Sequence, residues 1–369
     1  MRILFNSYFP SNPTSSFYAA GLGKIQDVTI NNFNNYNNFD IALFPSYKKD
    51  LDEIKIAKRE NPELKIGVVD PRSEKLISNY LDHIDFFVVD SIEMYDFWLN
   101  FCRPVHIYYE FPDIPVQERD HSHKDKIIVG YHGNKVHLTS MFPRITLALE
   151  KLGEKYDITL NAIYNISELG KWEIGRPKNI TIKDIQWTEE SYLEELKNCD
   201  IGLIPSLVPI KKSSKKKSLV SRFFLGNEDD YLIRFKMLSN PGRLIVFSLL
   251  KIPVVADFSP SHLNFIENRK NGFLAYSSGG WFNALETLIK DFNLRNKMSQ
   301  EMIKTYHEFF DHEKQNISLL YFLEKIYKSE STLISSSKFD SENILELFKF
   351  NNAYSFDKLK KIYNKIFKN

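Results

Sequence analysis

The segment Ile127-Ile-Val-Gly-Tyr-His-Gly-Asn-Lys-Val-His137 decides the fold. Residues 127–130 read as a strand with no polar alternation, which marks burial on both faces. The run passes straight into a turn at Gly133 and Asn134, and helical spacing resumes from about Thr139. Strand, glycine turn and helix in that order open a βα unit of a parallel sheet. In an open sheet of this kind ligands bind beyond the carboxyl ends of the strands, where glycine lets a backbone approach closely. Gly133, Asn134 and His137 are therefore candidate ligand contacts.

Outward from this unit the same grammar repeats. Residues 158–162, 180–182, 201–204, 254–256 and 273–275 are short apolar runs, with helical pieces at 189–198, 243–250 and 281–291. Toward the N-terminus, runs at 3–5, 41–44, 66–69, 86–89 and 106–109 alternate with helical segments such as 51–60 and 73–81. Residues 110–126, with Pro112, Pro115 and a run of charge, read as a connection. The fold class predicted is α/β with two Rossmann-like domains, 1–120 and 121–311. A helical segment at 312–369 is expected to pack back on them. The Asn-rich stretch 31–38 reads as a polar loop.

Composition agrees with this. A chain of 369 residues exceeds what one core usually covers. Forty-nine Lys and Arg against 47 Asp and Glu leave a net charge of +2, which argues against a nucleic-acid binder. With Cys102 and Cys199 the only cysteines, neither a disulfide framework nor a thiolate metal cage is expected, and a cytoplasmic setting is the simplest. No apolar run is long enough to span a bilayer.

The sequence lacks a Walker loop, a His-Glu-x-x-His pair and a Gly-x-Ser-x-Gly elbow. Its strongest chemical signal is Arg234-Phe-Lys-Met-Leu-Ser-Asn-Pro-Gly-Arg243, which leads into a helix. Ser239 or Asn240 suits the N-cap and Pro241 the first turn. Arg234, Lys236 and Arg243 would then crowd a helix start that already favours anions, an arrangement fit for a diphosphate. Asp90 and Glu110, each just past a strand, and His132 are the candidate proton acceptors. Five lysines, Lys211, Lys212, Lys215, Lys216 and Lys217, offer a patch for an anionic membrane surface.

Residues 127–310 resemble the donor-binding domain of B-type (GT-B) glycosyltransferases of the family-1 and family-4-like, nucleotide-sugar-dependent group. The segment 129–137 is similar to their first strand and glycine turn. Tyr192-Leu-Glu-Glu-Leu-Lys-Asn-Cys-Asp-Ile-Gly-Leu-Ile-Pro205 resembles a helix and strand found next in those enzymes. Ser239-Asn-Pro-Gly-Arg-Leu-Ile-Val-Phe-Ser-Leu-Leu-Lys-Ile-Pro-Val-Val-Ala256 resembles their phosphate-binding helix and following strand, and 262–275 and 281–298 resemble the closing segments.

The resemblance implies a metal-independent transfer from a nucleotide-diphosphate sugar, UDP- or GDP-linked, to a glycan acceptor in polysaccharide biosynthesis, without a further cofactor. It implies that Arg243, with Lys236 or Arg234, meets the diphosphate, and that Ser261 and His262 face the donor sugar. Leu238 and Val246 stand where many relatives carry glutamates, Lys251 where glycine is usual and Asn264 where a glutamate is common. Two other functions fit the same architecture: a non-hydrolysing sugar-nucleotide epimerase and a catalytically silent binding subunit.

Overall fold

The computed structural model describes residues 1–206 and 240–328. Two six-stranded parallel sheets form the frame. The first comprises β1 (Ile3–Phe5), β2 (Val28–Ile30), β3 (Ile41–Pro45), β4 (Lys65–Val69), β5 (Phe86–Val89) and β6 (Val105–Ile107), in the order β2-β1-β3-β4-β5-β6. The second comprises β7 (Lys126–His132), β8 (Asp157–Tyr164), β9 (Thr181–Gln186), β10 (Ile201–Ile204), β11 (Val254–Asp257) and β12 (Phe273–Ala275). Its order is β12-β11-β10-β7-β8-β9. Each strand order reverses direction once, beside β1 in the first sheet and beside β7 in the second. Ligand crevices open at the carboxyl ends of such switch points.

The central strands are buried because their residues are apolar on both faces. Phe44, Val68, Phe87 and Val89 sit in one core of the first domain, and Val129, Leu160, Ile201 and Val255 in one core of the second. Strand β2 was not expected from the sequence; its three residues are only partly buried, so no continuous apolar run advertises it. The Asn-rich stretch is anchored rather than loose. Tyr36 is fully buried, and its hydroxyl donates to Glu53 at 2.9 Å.

The connection between the sheets has no regular structure from 108 to 125, yet it is fixed to the second domain. Phe111 lies in that domain's core, the Gln117 amide donates to the Leu249 carbonyl, and Arg119 donates to the Lys197 carbonyl at 2.6 Å. The His121 ring is engaged with the Lys251 carbonyl at 3.0 Å.

After Asp311 the chain returns to the first domain as the helix His312–Lys328. Its Leu319, Leu323 and Ile326 pack with Ile3, Phe5 and Tyr18. Residues 329–369, the remainder of the expected helical segment, lie outside the described residues. Among the described residues no helix is long and apolar enough to cross a membrane.

Candidate active site in the interdomain cleft

The carboxyl ends of the two sheets face each other across a cavity of about 600 Å³. From the second domain, His132, Gly133, Asn134, His137, Asn240 and Arg243 line it. From the first domain come Arg72 and Glu110. Seven of the residues singled out in the sequence, Glu110, His132, Gly133, Asn134, His137, Asn240 and Arg243, are thus brought to one place, whereas Asp90 does not line it. Arg234, Lys236, Ser239 and the five lysines between 211 and 217 lie outside the described residues.

The second-domain wall is built by two turns. At the end of β7, Gly133 has φ +137°, a conformation that side chains rarely adopt. A Cβ there would stand 2.9 Å from the Tyr131 hydroxyl and 3.5 Å from Cδ of Arg243. Asn134 then caps the helix Lys135–Ser140, its Oδ1 accepting from the Val136 amide at 3.0 Å. The second turn begins the helix Gly242–Leu249, where Oδ1 of Asn240 accepts from the Gly242 amide at 2.7 Å. Gly242 is required by proximity, because a Cβ would lie 2.5 Å from the Glu110 carbonyl oxygen. The helix start of the second domain therefore rests on the backbone of the connection, at the residue whose side chain reaches the first domain.

Arg243 is the distinctive cation of this wall. It donates to the Pro205 carbonyl at 3.1 Å and to Oγ of Ser206 at 3.0 Å. Arg72, Arg119, Arg144 and Arg176 each pair with an aspartate. Arg243 forms no ion pair among the described residues. Burial holds its pKa below the ordinary arginine value, with partial relief from Tyr131 and Asp257. A guanidinium held by neutral partners beside a cavity is free to meet an anionic ligand.

The histidines divide. His132 is buried against Phe247 and Tyr192, with Nε2 unpartnered; burial and then Arg243 push its pKa down to about 3. Such a ring is neutral and too weakly basic to take a proton efficiently near neutrality. His137 is also held neutral, by burial first and then Arg243.

His262 does not reach the cavity. It is engaged at both nitrogens, Nδ1 with the Asp257 carbonyl at 2.6 Å and Nε2 with Ser206 Oγ at 3.3 Å. It supports Arg243 through Ser206 and does not line the space for a donor sugar. Ser261 is likewise turned away, bonded to Glu93 of the first domain.

Behind the facing wall, which Glu110 and Arg72 line, sits a group that the sequence showed only in part. Asp70 and Asp90 follow β4 and β5 directly, and Glu110 lies just beyond β6. Their carboxylates come within 4.8 Å of one another, and all three are buried. Arg72 is their shared cation, with Nε 2.5 Å from Asp70 and NH2 3.3 Å from Asp90. The Thr14 hydroxyl lies 3.2 Å from Glu110 and 3.4 Å from Asp70. Asp90 and Glu110 were candidates from the sequence; Asp70 and Arg72 were missed. A signal existed, because two consecutive strands both end in Val-Val-Asp, at 68–70 and 88–90. In a parallel sheet such strand ends become neighbours.

No family model matches the chain, and no curated protein matches it. Solved structures do. HepE of Anabaena, in a complex with UDP-glucose, aligns with a TM-score of 0.58 at 12% identity, covering 88% of this chain and 100% of that one. A glycosyltransferase from Rickettsia africae aligns at 0.57 and 13% identity, over 89% and 99% of the two chains. TarM of S. aureus aligns at 0.52 and 13%, over 78% of this chain and 55% of its own. At these identities the likeness establishes the architecture, two Rossmann-like domains in the GT-B arrangement.

Proposed function

We propose that the protein is a glycosyltransferase that moves a sugar from a nucleotide-diphosphate donor, UDP- or GDP-linked, to a glycan or glycoconjugate acceptor. The observation that carries the reading is Arg243: a guanidinium without a carboxylate partner among the described residues, at the start of a helix, on the wall of an interdomain cavity. A diphosphate supplies the charge such a group lacks, and the free N–H groups of the helix start add to the attraction.

In this reading the second domain holds the donor and the first presents the acceptor. The diphosphate leaves against Arg243, which stabilises the charge that develops on it. Protein cations do the work that a metal does elsewhere, so activity is expected to survive a chelator. The architecture shared with HepE, which binds UDP-glucose, supports a nucleotide sugar as the ligand class.

A thermal-shift screen of the full chain against UDP-, GDP-, dTDP- and CMP-linked sugars tests the proposal, because a ligand of the native state raises its apparent stability. A hit that Arg243→Ala abolishes is the expected result, followed by transfer to an acceptor. Interconversion of the nucleotide sugar with no acceptor present would instead mark an epimerase. Binding without either reaction would mark a silent subunit.

A further inference from the structure

We propose that the carboxyl edge of the first sheet, from β3 through β1 to the outer strand β2, binds a neutral glycan chain. The acceptor is then an oligosaccharide whose sugars beyond the reacting one lie outside the cavity. The inference rests on reading the cleft as a nucleotide-sugar site. It names the acceptor's class and the residues that hold its length.

Each of these three strands is closely followed by an aromatic residue. Tyr8 and Phe9 come after β1, Phe33 after β2 and Tyr47 after β3. In space the strands lie in the order β2-β1-β3, so the rings form a row from the inner sheet to its edge. Phe9 meets Tyr47 edge-on with centroids 5.3 Å apart, and Tyr8 stacks on Phe33 at 4.3 Å. Neighbouring strands are about 4.8 Å apart, close to the advance of one sugar along an extended chain. The row begins at the cavity. Tyr47 meets Asn12 and Thr14, and the Asn12 amide donates to the Phe9 carbonyl at 3.0 Å. Ser11, Asn12 and Pro13 line the cavity itself.

The row is rigid and partly open. Tyr8 is held on several sides: its hydroxyl donates to Glu53 at 2.7 Å and its amide to Asp50 at 2.6 Å. Lys49 Nζ lies 3.8 Å from the Tyr8 ring centroid. Tyr8 thus serves as backing for Phe33. Phe9 is 40% exposed, while Phe33 and Tyr47 are half-buried. Single exposed apolar side chains need no explanation, but a backed cluster beside a cavity marks a binding surface.

The polar groups beside the rings suit the same ligand. Between Asp27 and Asp40 no residue is charged, and the stretch carries Asn34, Asn35, Asn37 and Asn38, all exposed. The Asn34 and Asn35 side chains form no hydrogen bond among the described residues. A carboxamide offers two donors and an acceptor. A pyranose has an apolar face of C–H bonds and a rim of hydroxyls, so rings take the face and carboxamides the rim. An anionic polymer would find no charge on this stretch to pair with.

The test measures binding of cello-, malto- and N-acetylchito-oligosaccharides, from monosaccharide to hexasaccharide, to the full chain without nucleotide sugar. Saturation-transfer NMR and calorimetry report it. Affinity should rise with length in one series. Phe9→Ala should weaken the tetrasaccharide about tenfold, and Phe9→Trp should restore it. Monosaccharide affinity and the nucleotide-sugar thermal shift should not change in Phe9→Ala, and with a long acceptor KM should rise at constant kcat. Length-independent affinity, no binding in any series, or wild-type affinity in Phe9→Ala would overturn the surface and leave the donor reading intact. Glycan binding by a protein that takes no nucleotide sugar would overturn the donor reading and the acceptor role together.

Discussion

Glu93 of the first domain accepts two hydrogen bonds from Ser261 of the second, from its amide at 3.1 Å and its hydroxyl at 2.7 Å. Glu93 lies in the first turn of the helix Ile92–Leu99, and Ser261 in the short helix Pro260–Leu263. The carboxylate thus satisfies donors at the start of a helix in the other domain, an N-cap delivered across the interface. Glu93→Ala should cost about 1.5–3 kcal/mol, the scale of hydrogen bonds to a charged group. It should also widen the cleft. Denaturant melts and small-angle scattering check the two effects, and an unchanged radius of gyration with unchanged stability would refute the link.

Arg243→Ala should weaken nucleotide-sugar binding by about 10–100-fold, the loss of one or two charge-assisted bonds. Its present partners are a carbonyl and a hydroxyl, so the melting temperature of the unliganded protein should move little. Calorimetric titration and an unliganded melt separate these effects.

Gly242→Ala places a methyl 2.5 Å from the Glu110 carbonyl oxygen, and a backbone atom cannot swing aside as a side chain can. The connection at Glu110 must shift away from the helix start. A loss of about 1–3 kcal/mol is expected in a denaturant titration, together with weaker donor binding.

Lys251 stands where glycine is usual in the enzymes that the sequence resembles, and it has φ +51°, in the left-handed region. Its ammonium pairs with the exposed Glu118, a contact of little worth. Lys251→Gly should stabilise the protein by about 0.5–1 kcal/mol through relief of the left-handed conformation. Chemical denaturation at neutral pH measures it.

Stability should depend on pH from two sides. His121 and His262 are pushed down to about 4 by burial, and His132 to about 3, so the unfolded chain takes up protons first. Stability is then lost as pH falls from about 6.5 toward 4. Glu110 has the opposite sign: its raised pKa means the native state holds the proton longer. Its favourable contribution is complete below the unfolded value and is lost as pH rises to about 8. Glu110→Gln should therefore gain stability over wild type by at least about 1 kcal/mol between pH 5 and pH 9, the scale of one pKa unit. Melts across that range report it.

Both sheets were legible because nearly every central strand is an unbroken apolar run closed by a turn. Three partly exposed residues at β2 lack that signal and emerge only through pairing with β1. Gly133, Asn134 and Arg243 were legible because their chemistry is local to a turn and a helix start. His262 and Ser261 sit close to that region in sequence, but their side chains are bonded within the protein, and sequence spacing carries no information about such bonding. Asp70 was marked by the repeated Val-Val-Asp at 68–70 and 88–90, while the pairing of Arg72 with both aspartates left no trace in the spacing. A buried carboxylate beside a strand reads like any loop aspartate until the neighbouring strand delivers another.

Among the described residues the chain crosses between the domains twice, and the crossings are side by side. Phe111, outbound, stacks on His312, inbound, with ring centroids 4.1 Å apart. Next to them the Tyr109 amide donates to Gln315 at 2.5 Å. Two strands of polypeptide riveted at one place act as the spine of a book. Any change in the angle between the domains would turn about that line, whereas sliding past each other would break these contacts, so the two walls of the cavity keep one register.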